Sequence, residues 1–174
     1  MSTPRFRLYI AASLDGFIAT PDGGVSWLEP FQGDDFGYDA FIETIGTVVL
    51  GRTTYEQVRG FGDWPYAGKR GIVVSSQPPG DLPDGVEQRC PPFDDLVSDL
   101  KTRSAGDVWI VGGARTIGAF FDLDAVDGIE LFVMPVLLGS GLPLFGSSRS
   151  AMLLRLKETR PYPGGVVKLV YDTL

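Results

Sequence analysis

The 174-residue sequence predicts an α/β fold: a mixed sheet, mostly parallel, with antiparallel strands at its C-terminal end and helices on both faces. Two patterns carry this. Short apolar, β-branched runs alternate with amphipathic segments along residues 5–121, and three strand-like runs then follow one another beyond residue 128 with no helix between them. Strands that alternate with helices pair in parallel through crossover connections, whereas consecutive strands usually pair antiparallel. The length fits one domain over residues 1–174, large enough to bury a substantial core.

Each element follows from local pattern. Residues 5–12 alternate as a strand and stop at Ser13-Leu14-Asp15-Gly16. Residues 20–32 contain Pro21, Asp22-Gly23-Gly24 and Pro30, turn chemistry that blocks regular structure and leaves Trp27 on a loop. Tyr38, Phe41, Ile42 and Ile45 recur at helical spacing, and Thr47-Val48-Val49-Leu50 is a β-branched run ending at Gly51. Residues 54–59 form a short helix, and Gly71-Ile72-Val73-Val74 a strand halted by Ser75-Ser76-Gln77-Pro78-Pro79. Phe93, Leu96, Val97 and Leu100 make an apolar helical stripe, residues 107–111 a buried strand, and residues 115–121 the next helix. Strands at 129–136, 153–158 and 166–171 complete the chain, the last two joined through Pro161-Tyr162-Pro163-Gly164-Gly165.

Composition excludes several chemistries. No apolar run approaches the roughly 18 residues of a membrane span, and no signal-peptide core precedes the first strand, so a cytoplasmic location is expected. The net charge is −7 with both signs interspersed, which argues against nucleic acid as a partner. Cys90 is the only cysteine and histidine is absent. Zinc and iron–sulfur sites, an intramolecular disulfide and a Ser-His-Asp arrangement are therefore ruled out, and no metal is expected. Proton transfer is left to Asp, Glu, Tyr, Lys or water.

Two glycine-punctuated turns are the most informative local feature. Gly51-Arg52-Thr53-Thr54-Tyr55-Glu56 and Gly112-Gly113-Ala114-Arg115-Thr116-Ile117-Gly118 each follow an apolar strand and open a helix. The first N–H groups of a helix lack intrahelical acceptors, and the macrodipole adds positive potential there. Glycine lets a phosphate approach the backbone, and Arg52 and Arg115 add charge. Either turn alone reads equally as a simple connection with an exposed arginine; the pair favours a dinucleotide pyrophosphate. The other glycine runs match no nucleotide signature. Gly139-Ser140-Gly141 lacks a third glycine at Leu144, and Ala119-Phe120 stands where a P-loop requires Lys-Ser/Thr.

Three further groups are candidates. Ser75, Ser76 and Gln77 close a parallel strand, where open α/β sheets place ligands, and their side chains suit a phosphate monoester or a plain polar loop. Trp27, Tyr38, Phe41 and Trp64 line a slot for a planar ligand or fill the core. Asp34-Asp35-x-x-x-Asp39 sets Asp35 and Asp39 on one helix face, where repulsion favours an acid, or else marks a solvated helix start.

Ile10-Ala11-Ala12-Ser13-Leu14-Asp15-Gly16-Phe17-Ile18-Ala19, Trp27, Leu50-Gly51-Arg52-Thr53-Thr54-Tyr55-Glu56, Val74-Ser75-Ser76 and Val111-Gly112-Gly113, in this order, resemble the dihydrofolate reductase superfamily. The stretch from Val126 to Gly141 is similar to the reductase domain of riboflavin biosynthesis and its stand-alone relatives. The resemblance implies an NADPH-dependent oxidoreductase that transfers hydride to a C=N or C=O of a small pteridine or pyrimidine-type substrate; a non-catalytic NADPH-binding protein is the alternative. It implies that Gly51, Arg52, Thr53 and Thr54 hold phosphates, and that Ser75, Ser76 and Gln77 hold the adenosine end with its 2′-phosphate. Gly112, Gly113, Ala114, Arg115, Thr116 and Ile117 would take the pyrophosphate, with Ala12 and Ile18 facing the nicotinamide. A cis peptide is implied at Gly112-Gly113, and a homodimer through the C-terminal half. Trp27, Tyr38 and Phe41 are the implied substrate contacts. Dihydrofolate reductases carry a carboxylate one turn before the position of Phe41, where this chain has Gly37. Riboflavin-type reductases read Asp-Gly-Lys where this chain has Asp15-Gly16-Phe17. Asp39, then Asp35, are consequently the catalytic proton-donor candidates, with Tyr38 or water behind them.

Overall fold

The computed structural model describes residues 3–146 and 151–174. In chain order the elements are β1 (Phe6–Ser13), β2 (Phe17–Ala19), α1 (Tyr38–Thr44), β3 (Ile45–Gly51), α2 (Arg52–Gly60), β4 (Arg70–Val74), β5 (Val86–Arg89), α3 (Asp94–Arg103), β6 (Asp107–Gly112), α4 (Ala114–Asp122), β7 (Gly128–Met134), β8 (Leu142–Pro143), β9 (Leu154–Pro161) and β10 (Val167–Thr173). Eight strands form one sheet in the order β5-β4-β3-β6-β1-β7-β10-β9, and β2 pairs with β8 beside it. No helix among the described residues is long and apolar enough to cross a membrane.

Alternation within the strands sends side chains to opposite faces and builds two helical layers. Leu8, Val49, Ile72, Val108 and Ile110 pack with Leu96, Val97 and Leu100 of α3 and Ile117, Phe120 and Phe121 of α4. Val48, Leu50, Val73 and Trp109 face the other way, against Phe41 of α1, Tyr55 of α2 and Tyr66. Phe6, Leu8 and Phe120 are fully buried; each contributes about 1.5–3 kcal/mol by leaving water.

β5, β4, β3, β6, β1 and β7 run parallel; β10 runs antiparallel to β7 and to β9. The mixed sheet is as the sequence predicts, with one refinement. The run after residue 128 is the last parallel strand, paired with β1 from Arg7↔Gly128 to Ser13↔Met134, so only β9 and β10 form a hairpin. A hydrophobic strand buried on both faces belongs inside a sheet, which draws β7 next to β1 rather than into a C-terminal meander.

Other differences have local causes. The polar sequence of β5 hides an edge strand. Trp27 sits in a 3-10 turn, Ser26–Phe31, that tolerates Pro30 because so short a helix leaves little ladder to break. Helix α1 begins at Tyr38 after Gly37, whose φ of 80° is left-handed, so Asp35 lies before the helix rather than on one face with Asp39. Asp35 instead accepts the Asp39 N–H through Oδ1 at 3.1 Å, as a residue ahead of a helix does for its first turn.

Beneath α1 the sheet carries charge. Glu130, buried on β7, bonds the Arg7 guanidinium and the Lys168 ammonium, the latter at 2.6 Å. Arg7 also reaches Asp107 at 3.1 Å and Thr44 at 2.9 Å, so a buried carboxylate and its neighbour compensate two cations.

Candidate functional site

The carboxyl ends of the parallel strands gather at one edge, where α/β sheets expose the first turns of their helices. β3 leads directly into α2 and β6 into α4. Because β3 and β6 are neighbours, with Leu50 opposite Gly112, the two glycine turns predicted from sequence lie side by side. Their fit is tight: a Cβ on Gly51 would fall 2.6 Å from Thr116 Oγ1, and one on Gly113 would fall 3.1 Å from Thr54 Oγ1. Glycine is required at position 51 by that approach. The Gly112-Gly113 peptide is cis.

Neither α2 nor α4 carries a side-chain cap on its first turn. Each therefore opens with N–H groups that receive no side-chain cap among the described residues, and the two dipoles add positive potential at the same edge. A dinucleotide pyrophosphate fits this pair of turns in charge and in donor chemistry.

Arg52 extends the site toward β4. Its Nε donates to Glu56 at 2.6 Å and its NH1 to Gln77 Oε1 at 2.8 Å, linking the first turn of α2 to the loop after β4. Ser75 Oγ donates to the Gln77 carbonyl at 2.6 Å and accepts the Gln77 N–H at 3.1 Å, folding residues 75–77 into a compact polar turn. Ser76 is exposed there. Gln88 of β5 donates to the carbonyls of Ser75 and Gln77 at 2.8 and 3.1 Å. It holds the turn from behind, a role the polar sequence of β5 concealed. Gly51, Arg52, Thr53 and Thr54 thus adjoin both Gly112 to Thr116 and Ser75 to Gln77. Arg115, in the first turn of α4, is exposed and lines a groove of about 340 Å³ between α4 and β8.

Ala12 is buried near the end of β1 and Ile18, on β2, packs against the α3 and α4 core. The aromatic candidates divide. Tyr38 and Phe41 join one cluster, with Tyr9 stacked on Phe41 at 4.5 Å and Trp109 edge-on to both Tyr38 and Phe41. Trp27 joins another, with Phe132, Met134 and Val166. Trp27, Trp64 and Trp109 bury indole N–H groups with no partner among the described residues. Burial pushes the Tyr9 hydroxyl well above its ordinary range, aided by Asp35 and Glu130, and burial does the same to Tyr66. Both phenols stay protonated at neutral pH, and Tyr9 donates to the Phe36 carbonyl at 3.1 Å. Asp35 and Asp39 are exposed. Gln57 Nε2 donates to the Gly23 carbonyl at 3.1 Å and draws the loop after β2 against α2, a contact invisible in the local pattern.

Two glycine turns set side by side at the carboxyl ends of a mostly parallel mixed sheet define an α/β class with its candidate site at that edge, and comparison with known proteins narrows it. Residues 92–168 match the RibD C-terminal domain family. An uncharacterized Bacillus subtilis protein, YwjB, is 40% identical over 94% of this chain and 95% of its own length. The crystal structure of a Shewanella sp. PV-4 protein ascribed to riboflavin biosynthesis superposes with a TM-score of 0.86 at 30% identity, over 98% of this chain and 99% of that one. A dihydrofolate reductase from Enterococcus faecalis, solved with NADP(H), has the same fold: TM-score 0.71 at 18% identity, over 97% and 96% of the two chains. The chain belongs to the RibD C-terminal domain family.

Proposed function

We propose that the protein is an NADPH-dependent reductase acting on a C=N or C=O of a small pteridine or pyrimidine-type substrate. The observation that carries this is the meeting of two uncapped helix N-termini across β3 and β6, tied by Arg52 to the Ser75–Gln77 turn. Family relatives that are reductases support it. When bound, NADPH supplies a hydride from its nicotinamide. Gly112, Gly113, Ala114, Thr116 and Ile117 would receive the pyrophosphate, with Arg115 adding charge nearby. Arg52, Thr53 and Thr54 would hold phosphate, and Ser75, Ser76 and Gln77 the 2′-phosphorylated adenosine. Ala12 and Ile18 would face the nicotinamide. Tyr38, Phe41 and Trp27 would contact substrate, and Asp39, then Asp35, would deliver the proton.

Isothermal titration with NADPH and NADH tests the cofactor. NADPH binds more tightly than NADH, and Arg52→Ala weakens NADPH by about tenfold and NADH by less, because a charge-assisted phosphate contact is lost. Failure to bind either nucleotide, or a preference for NADH, rejects the proposal. With a turned-over substrate in hand, Asp39→Asn lowers kcat; full turnover across pH in both Asp39→Asn and Asp35→Asn returns the two carboxylates to the helix start.

A catalytically silent NADPH-binding protein is the second reading, favoured by the exposure of both carboxylates and by Gly37. NADPH oxidation with dihydrofolate, dihydropterins or a ribosylaminopyrimidine eliminates it. For assembly we propose a homodimer through the C-terminal half: the edge strand β9 is exposed along its length, and Leu137, Leu154 and Leu156 are exposed. Light scattering that returns the 18.8 kDa monomer mass excludes it.

A further inference from the structure

The turn after β1 carries a carboxylate, Asp15, that lies outside both the cofactor contacts proposed above and the hydrocarbon core. Asp15 is exposed, yet it is the most heavily bonded side chain in its region. The Ser13 hydroxyl donates to its Oδ1 at 2.6 Å and accepts the Phe17 N–H at 3.0 Å. From the far side, the Leu138 N–H reaches Oδ1 at 3.1 Å and the Gly139 N–H reaches Oδ2 at 2.7 Å. Gly139 has a φ of 73°, and that left-handed bend aims two successive N–H groups at one anion.

Backbone contacts continue the seam. Leu14 N–H meets the Val136 carbonyl at 2.9 Å, and Leu144 N–H meets the Gly16 carbonyl at 3.0 Å. β2 pairs with β8, and a Cβ on Gly141 would fall 2.2 Å from the Ala19 carbonyl oxygen, so the two segments lie in direct backbone contact. The only charge in this seam's hydrogen bonds, among the described residues, is the Asp15 carboxylate. Ala12 and Ile18 stand on either side of the turn it closes.

We propose that Asp15 is a positioning residue: its carboxylate clasps the loop after β7 to the turn between β1 and β2, and so fixes the wall formed by Ala12 and Ile18 against the nicotinamide half of the cofactor. This rests on the NADPH reading above. In the sheet β3 and β6 stand between β1, which carries the clasp, and β4, which leads into the Ser75–Gln77 turn, so its loss acts on one half of the nucleotide only. Charge-assisted bonds to backbone N–H groups are the strong members of their class, and an exposed carboxylate can be removed without opening the hydrocarbon core.

The test compares two ligands on the full chain by isothermal titration: NADPH, and adenosine 2′,5′-bisphosphate, which has the phosphorylated adenosine end and no nicotinamide. Asp15→Ala weakens NADPH by about tenfold and leaves the bisphosphate within about twofold. Thermal unfolding checks that the variant is folded; if Asp15→Ala does not fold, Asp15→Asn, which keeps one acceptor oxygen, carries the same comparison. Unchanged NADPH affinity, or an equal loss for both ligands, overturns the clasp. Wild-type protein that binds neither ligand overturns the cofactor reading itself and the clasp with it, a result seen before any variant is made.

Discussion

The two faces of the central sheet are built from different materials. Toward α3 and α4 the contacts are hydrocarbon: Leu8, Val108 and Ile110 against Leu100, Ile117 and Phe120. Toward α1 and α2 the same strands offer Tyr9, Trp109, Arg7 and Glu130, with buried indole N–H groups that no described residue accepts. The first face is filled by volume and dispersion and tolerates no polar atom; the second holds its groups by edge-to-face aromatic contacts and compensated charge.

Substitutions can break that contrast. Leu100→Ala, on α3 and fully buried, should cost about 3 kcal/mol by leaving a cavity while NADPH affinity stays at the wild-type value. Urea unfolding reads the first, and a loss below about 1 kcal/mol would mean that the apolar face repacks. Glu130→Gln should cost about 2 kcal/mol, because Lys168 and Arg7 lose the anion they share in a partly desolvated site. Stability equal to wild type would show that water, not Glu130, compensates the cations. Trp109→Phe should be nearly neutral, within about 1 kcal/mol, since it keeps an aromatic ring and removes a donor that has no partner. A large loss would reveal an acceptor for that N–H.

Two carboxylates at opposite ends of the strands should make the protein sensitive to acid. The Ser13 hydroxyl, helped by the Gly139 and Leu138 N–H groups, holds Asp15 below the usual carboxylate range; the Arg5 guanidinium does the same for Asp172. The folded state thus binds fewer protons than the unfolded chain near these values. The stability they contribute is present above about pH 4 and is lost as pH falls through the lowered native values. A urea midpoint that stays constant from about pH 5 to about pH 3 contradicts this.

The strand–helix alternation and the two glycine turns were legible because each rests on a short-range rule: period-2 or period-3.6 burial, and glycine between a strand and a helix. Their adjacency was not readable locally, since it depends on β6 inserting between β3 and β1. β5 escaped because Val86-Glu87-Gln88-Arg89 has no apolar alternation; it is an edge strand whose charges serve Arg70 and Asp99. The Glu130 network escaped because its partners are far apart in sequence, although a glutamate between Ile129 and Leu131 was the available signal. Asp15 read only as a turn residue: both of its N–H donors on the far side lie 123 and 124 residues away.

The place of β1 carries a consequence for how the molecule is made. The first strand of the chain sits in the interior of the sheet, between β6 and β7. Arg5 N–H is bonded to Asp107, 102 residues on, and Phe6 N–H to Asp127, 121 residues on. A growing chain therefore carries β1 without either of its sheet neighbours until the strand that opens at Asp107 has been made. Chain closure over such spans costs entropy before any contact repays it, which puts folding toward the millisecond-to-second end of the scale, roughly, and makes it an act of the whole chain. No fragment ending before Asp107 can assemble the middle of the sheet, and the nascent protein depends on whatever shields an apolar strand while it waits.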